Sequence, residues 1–308
     1  MISIASLLRT MVSLFAAMAL GFLAVRLRMV GPAFKSQLTR LVIYMIHPFM
    51  ILSSVLNTEH LLTNGQVLQL SGMAVCCYLV LIPLSLLVVR LLKVPAGSTG
   101  TYRFMLIFSN MGFMGYPVVR ALFGESAVFY VSIFVLVFQL VVYTYGIALL
   151  SEARERRFRW NLFLRPMVVA ALLAFLIYLT GLQIPAAAAE VVQYIGNIST
   201  PLCMIVIGCT LAEIPLRSVV GNWRLYILVL LKMILLPLAV FFLLRPLIHN
   251  TLLLGILTVI LAMPVASNAN MMTLEFGGDQ DLSAAGVFIT TIASIFTIPA
   301  IMWLLFAR

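Results

Sequence analysis

The sequence predicts an all-α integral membrane protein of ten transmembrane helices, built as a 5+5 inverted repeat whose fourth and ninth helices are broken. Three observations predict it. The 308 residues are 64% hydrophobic and only 9% charged, and apolar runs long enough to cross a bilayer recur from end to end. Basic residues crowd into alternate loops. Two runs at matching places, NMGFMGYP at 110–117 and PVASNAN at 264–270, put Asn, Gly, Ser and Pro inside otherwise apolar spans.

The spans fall at about 4–25, 36–56, 67–92, 102–123, 127–150, 161–181, 187–212, 224–247, 251–275 and 283–306. The first apolar run, Met11 to Val25 after Arg9, has the look of a secretory signal, but no exported domain follows it and it is read as the first span. The odd-numbered loops carry Arg26, Arg28, Lys35 and Arg40; then Arg90, Lys93 and Arg103; then Arg154, Arg156, Arg157, Arg159 and Arg165; then Arg217 and Arg224. These are fourteen of the 19 Lys and Arg. The other face holds Arg9, Arg120, Arg245 and Arg308, and Lys232 lies inside the eighth span. The positive-inside rule therefore puts the odd loops in the cytoplasm and both termini outside a cell (inner) membrane. A net charge of +10 would suggest nucleic acid in a soluble protein; here it reports orientation, so lipid is the expected surrounding and nucleic acid is not a partner. The acidic run FGGDQDL is assigned inside by alternation only and reads as a solvated turn.

The polar stretch 151–160 divides the chain into a first five-helix repeat, 1–150, and a second, 161–308. Five spans per half is an odd number, so a second copy must enter the membrane inverted. A shift of 153 residues pairs Pro48 with Pro201 and Phe123-Gly124 with Phe276-Gly277, and a shift of 154 pairs Pro83 with Pro237. Under the same shift MGFMGYP falls on PVASNAN. Pro and Gly both weaken a helix, and irregular backbone at membrane depth persists only where protein buries it or where it lines a wet cavity. Two matched breaks carrying Asn side chains therefore point to a transport site made of half-helix ends and bare peptide groups.

Asn110, Met111, Gly112, Gly115 and Pro117 form the first candidate group, and Pro264, Ser267, Asn268 and Asn270 the second. Asn donates to a carboxylate without a buried charge, and Gly112 and Gly115 let backbone approach a solute closely. His47 stands directly before Pro48, near Ser53 and Ser54, and either takes up a proton during transport or packs beside a bend. Asn197, Ser199 and Thr200 before Pro201 match it in the second half; they either border the cavity or bond neighbouring helices. Thr290, Ser294 and Thr297 follow one helix face and suit interhelical hydrogen bonds. Lys232 either snorkels or pairs with a crossover.

The run N-x(4)-G-x-P from Asn110 to Pro117, together with MPVASNANMMTLEFGGDQDLSAAGVFITTIASIFTIP at 263–299, resembles the auxin efflux carrier family, which includes plant PIN exporters and bacterial organic-acid carriers of the malonate type. The resemblance covers the whole chain, although the long central hydrophilic loop of the plant exporters is missing. It implies crossed, broken fourth and ninth helices like those of bile-acid symporters and sodium/proton antiporters, a mobile part rocking against a scaffold, and a homodimer. It places Asn110, Gly115 and Pro117 in the first crossover and Pro264 in the second.

The nine acidic residues all fall in loops or near span ends, so a paired-carboxylate proton relay is not expected. Glu275, the nearest to a crossover, is a candidate for cation binding or a cap of its span. Cys76, Cys77, Cys203 and Cys209 lack C-x-x-C spacing and read as packing residues, with no metal site. No Walker loop or Rossmann fingerprint is present, no cofactor is expected, and a hydrolase would need a nucleophile and base or facing carboxylates that the spans do not supply. The expected function is secondary active transport of a small organic anion by alternating access, coupled to sodium or protons, and not an enzyme. The alternative is a sodium- or proton-coupled cation antiporter on the same fold.

Overall fold

The computed structural model describes residues 4–56, 64–124, 126–151, 164, 166–213, 221–248 and 250–306. Among them the structure is helical, and the only extended pairing is one antiparallel bridge between Ser109 and Val265. The first half contains α1 (Ile4–Arg26), α2 (Pro32–Leu41), α3 (His47–Leu56), α4 (Asn64–Leu91), α5 (Ala96–Ile107), α6 (Tyr116–Phe123), α7 (Ser126–Val141) and α8 (Ile147–Leu150). The second contains α9 (Pro166–Thr180), α10 (Ala186–Glu213), α11 (Trp223–Val229), α12 (Leu236–Leu244), α13 (Thr251–Ala262), α14 (Ala269–Phe276) and α15 (Gln280–Phe306). Five described stretches are long and apolar enough to cross a bilayer: Val67–Leu91, Phe129–Leu150, Ala186–Glu213, Trp223–Leu244 and Gln280–Phe306. The segments around 110 and 264 fall short of that length because each is two helices, which is what their Pro, Gly and Asn content dictates.

Prolines also mark the π turns. The turns Val42–Ile46, Met111–Gly115 and Leu230–Leu235 each end two residues before a proline: Pro48, Pro117 and Pro237. Proline removes one N–H from the ladder and crowds the carbonyl four residues back, and a wider turn absorbs both defects. The turn Val142–Gly146 has no such proline. Pro83 and Pro201 sit within α4 and α10 without a π turn, so the sequence pairings of Pro48 with Pro201 and Pro83 with Pro237 do not extend to local geometry.

Two sets of helices pack mainly among themselves. In one, α1 lies along α10, α10 packs on α3, and α3 on α9. In lipid, helices associate through close packing at small residues. Here Gly21 faces the Ile205 carbonyl and Gly208 faces that of Met18, with no room for a Cβ at either. In the other set, α4 contacts α5 and α7, α12 contacts α13, and α15 contacts α5, α11, α13 and α14. The sets meet where α1 touches α6, α7 touches α9 and α3 touches α7.

In the FGGDQDL segment Gly277, Gly278, Gln280 and Asp281 are exposed, as a solvated turn requires, while Asp279 is docked. The Asp279 N–H donates to Thr101 Oγ1 at 2.9 Å, Ser98 Oγ donates to Asp279 Oδ2 at 2.6 Å, and Asp279 Oδ1 accepts from the Leu282 N–H at 2.9 Å. One carboxylate thus caps α15 and ties it to the start of α5. Asp279→Ala is expected to destabilise the protein by about 1–2 kcal/mol, read as a lower thermal midpoint; Asp279→Asn, which keeps an acceptor for the cap, loses less. Arg103, counted above with the loop cations, lies instead within α5, where it donates to Ser85 Oγ at 3.2 Å and to the Tyr145 hydroxyl.

Candidate functional site

Helix α5 stops at Ile107, and Phe108 takes extended backbone angles; α13 stops at Ala262, and Met263 is extended in the same way. A helix end buried at membrane depth must find partners for its peptide groups, and each break supplies them to the other. The Asn110 N–H donates to the Pro264 carbonyl at 2.8 Å, and the Ala266 N–H to the Phe108 carbonyl at 3.1 Å. Pro264, with no N–H to satisfy, serves here as an acceptor alone. The remaining donor, the Val265 N–H, bonds Thr290 Oγ1 at 3.1 Å, and that hydroxyl donates to the Gly286 carbonyl of α15 at 2.7 Å. Thr290→Val would orphan a buried N–H and is expected to cost about 1–3 kcal/mol, whereas Thr290→Ser keeps the bond and most of the stability. Thermal unfolding of the two variants side by side checks this.

Past the bridge the chain becomes helical again on both sides. The Asn110 carbonyl accepts from the N–H groups of Met114 and Gly115, at 3.3 and 3.1 Å, so the π turn and α6 start there, and Asn268 stands at the N-cap of α14. Two helix N-termini and two helix C-termini therefore converge, carrying partial charges of both signs. Asn110 is 2% exposed, and its Nδ2 has no partner. Its Oδ1 accepts from Ser267 Oγ at 3.4 Å. Asn268 Oδ1 is also buried and unpartnered. Buried polar atoms are normally satisfied, so an open donor and an open acceptor at one place mark a polar site.

A cavity of about 350 Å³ reaches Ser267, which bonds Asn110, and Asn268; Asn110, Met111, Gly112, Gly115, Pro117 and Pro264 do not themselves line it. Ser267, Asn268, Asn270 and Phe113 are among its lining residues. Thr39, Cys203 and Thr210 form part of its wall, and Lys35, Arg40, Glu213 and Asp281 line it as well. Lys35 and Glu213 are joined as an ion pair. The cavity thus lies between α2 and α10 of one helix set and the crossover, α14 and α15 of the other.

His47 stands against the crossover from the opposite set. It is 1% exposed, its Nδ1 lies 3.2 Å from Ser199 Oγ, and its ring meets that of Phe113 edge-on at 4.5 Å. Ser199, and not Asn197 or Thr200, is its partner across the repeat. Asn197 is exposed and Thr200 half-buried, and neither lines the cavity. The reason is helical periodicity: residues one or two positions from Ser199 point about 100° or 200° away from it. Met111 and Gly115 are buried within the π turn, Gly112 adjoins the His47 ring, and Pro117 opens α6. Glu275 is exposed at the end of α14 and does not line the cavity. Of the hydroxyls on α15, Thr290 bonds across helices, but Ser294 bonds its own helix at the Thr291 carbonyl. Lys232 does pair with the crossover, donating to the Leu106 carbonyl at 3.0 Å.

A profile of the family described as membrane transport protein matches residues 6–302. Similar proteins include an uncharacterized transporter of Methanothermobacter thermautotrophicus, 26% identical over 94% of this chain and 95% of that protein. Another is an uncharacterized transporter of Methanocaldococcus jannaschii, 25% identical over 87% of this chain and 89% of its own length. With its profile match running nearly end to end and its membrane-length apolar helices, the chain belongs to the membrane transport protein family and is an integral membrane transporter.

Proposed function

We propose that the protein is a secondary active transporter that moves a small organic anion, of malonate-like or auxin-like carboxylate type, by alternating access through the crossover. The observation that carries this reading is the unpartnered Nδ2 of Asn110, a buried donor beside two helix N-termini. Donors and positive helix ends suit a carboxylate, and of the two acids that line the cavity, Glu213 is paired with Lys35.

The 5+5 organisation, 1–150 and 161–308, is supported by matched elements: α5 and α13 are each 12 residues, and α6 and α14 each 8. The glycines that follow the last two, Gly124 and Gly277, share backbone angles of φ 87°, ψ −180° and φ 94°, ψ −178°. In this reading α1, α2–α3, α9 and α10 are the scaffold, through which two copies pair, and the other helices move against it. By the positive-inside rule the Lys35 and Arg40 end of the cavity faces the cytoplasm, with both termini outside the inner membrane. His47, held between scaffold and crossover, is the residue through which protons would couple; sodium is the other candidate.

The test is a thermal-shift screen of purified protein against carboxylic acids, with and without sodium and across pH. Saturable stabilisation by at least one short carboxylate is expected. A protein that answers to monovalent cations and to no carboxylate would establish the antiporter alternative instead.

A further inference from the structure

Arg90, Lys93 and Arg224 come from opposite halves of the chain and meet at the end of α4. Lys93 follows that helix with φ 47°, the left-handed turn that closes many helices, and its N–H bonds the Arg90 carbonyl at 3.2 Å. The last carbonyls of a helix lack partners within it, and here a residue of α11 reaches the turn. Arg224 donates from Nε to the Leu92 carbonyl at 3.1 Å and from Nη2 to that of Lys93 at 3.2 Å. Tyr102 of α5 fastens the joint, its hydroxyl donating to the Arg224 carbonyl at 2.6 Å.

Three cations are thus gathered with no acid beside them. Helices α4, α5 and α11 contain none, and Asp279, docked on the start of α5, is committed to Ser98 and to its own cap. Arg90 and Lys93 are exposed, and the one ion pair among the described residues joins Lys35 to Glu213 instead. The surface next to the cations is apolar and aromatic: Leu87 and Leu91 of α4 and Trp223 and Tyr226 of α11 are all exposed, Leu91 at 70%. The Arg224 guanidinium lies 5.0 Å from the centre of the Trp223 ring. Exposed Trp and Tyr beside basic residues mark the level at which lipid headgroups lie.

We propose that this corner binds one anionic phospholipid, its phosphate diester held by Arg90 and Lys93 and its acyl chains lying along Leu87 and Leu91. Charge complementarity selects the occupant: guanidinium and ammonium groups are the usual partners of phosphate, and by the positive-inside rule the corner faces the cytoplasmic leaflet, whose surface is anionic. Arg224 is a positioning residue, since two of its nitrogens hold carbonyls of the turn that presents Lys93. The lipid accordingly clamps a joint between the first and second halves of the chain and stabilises it. The inference does not depend on which solute is carried and is measured with none present.

The experiment is thermal unfolding in a neutral detergent, with phosphatidylglycerol, phosphatidylcholine of the same acyl chains, or sn-glycerol 3-phosphate titrated in. Wild type is expected to gain about 3 °C or more, saturably, from phosphatidylglycerol, and to need at least tenfold more of either other compound. Arg90→Gln combined with Lys93→Gln should need at least tenfold more phosphatidylglycerol than wild type. Arg26→Gln combined with Arg28→Gln, which removes equal charge at the end of α1, should respond as wild type does. Native mass spectrometry of the same samples counts the lipid retained, so the comparison holds even for a variant of lowered midpoint. Equal stabilisation by phosphatidylcholine, or an equal loss in both double variants, overturns the proposal. So does a response to glycerol phosphate that matches the lipid's, which would mark a site for a soluble phosphate instead.

Discussion

Asn110→Leu is expected to weaken carboxylate binding by roughly tenfold to a hundredfold, as befits loss of a hydrogen bond to a charged group, while the solute-free protein keeps its thermal midpoint. The two halves of this result have separate causes. The bonds that Asn110 gives to the break use its main chain: its N–H to Pro264 and its carbonyl to Met114 and Gly115. These survive any side chain. The amide itself gives the empty protein little, since Nδ2 is unpartnered and Oδ1 receives only the 3.4 Å bond from Ser267. Replacing a buried unsatisfied donor by an apolar group is close to neutral for stability. Asn110→Asp then tests the sign of the cargo. It preserves shape but offers only acceptors and a negative charge, so carboxylate binding should vanish, whereas a cation carrier would bind more tightly. Isothermal titration with whichever carboxylate the thermal screen selects reads both variants, and an unchanged affinity in Asn110→Leu would remove this residue from the site.

The second large effect is on stability. Gly208→Val is expected to cost about 3 kcal/mol or more, equivalent to a fall of roughly 6–10 °C in midpoint. A Cβ on Gly208 would collide with the Met18 carbonyl, and one on Gly21 with that of Ile205. Both neighbours are main chain, so no rotamer change relieves the clash and α1 and α10 must separate along the length on which they touch. The Cys209 thiol, which reaches the Gly21 carbonyl at 3.4 Å, would lose that contact too. Gly72→Ala is the control: its Cβ meets nothing within 4 Å, and alanine favours a helix over glycine by about 0.5–1 kcal/mol, so its midpoint should hold or rise. Fluorescence-detected unfolding in one detergent compares them directly.

Much of the scaffold is legible in the sequence because bilayer thickness and periodicity leave local marks. Apolar runs locate the long helices, and Pro117, Gly115 and Pro264 announce the breaks. The FG pairs at 123 and 276 announce the two glycine turns that follow α6 and α14. What stays hidden is partner choice. Nothing near Thr290 in the chain says that its hydroxyl will receive the Val265 N–H, because the bond depends on how α15 lies across the crossover. Asp279 reads as a surface acid until α5 brings Ser98 and Thr101 beside it. Asn197 has the chemistry of a cavity residue, yet helical phase turns it outward and gives His47 to Ser199 instead. Lys232 was visible as an anomaly in an apolar span, but the carbonyl it meets belongs to Leu106, in the other half of the chain.

The paired bonds between Phe108–Asn110 and Pro264–Ala266 also tie the two gaps to each other. Under the proposed alternating access, a shift of one gap past the other would break both bonds, so the two half-helix pairs are expected to travel together. A label on α6 and another on α14 should consequently relax with a common time constant.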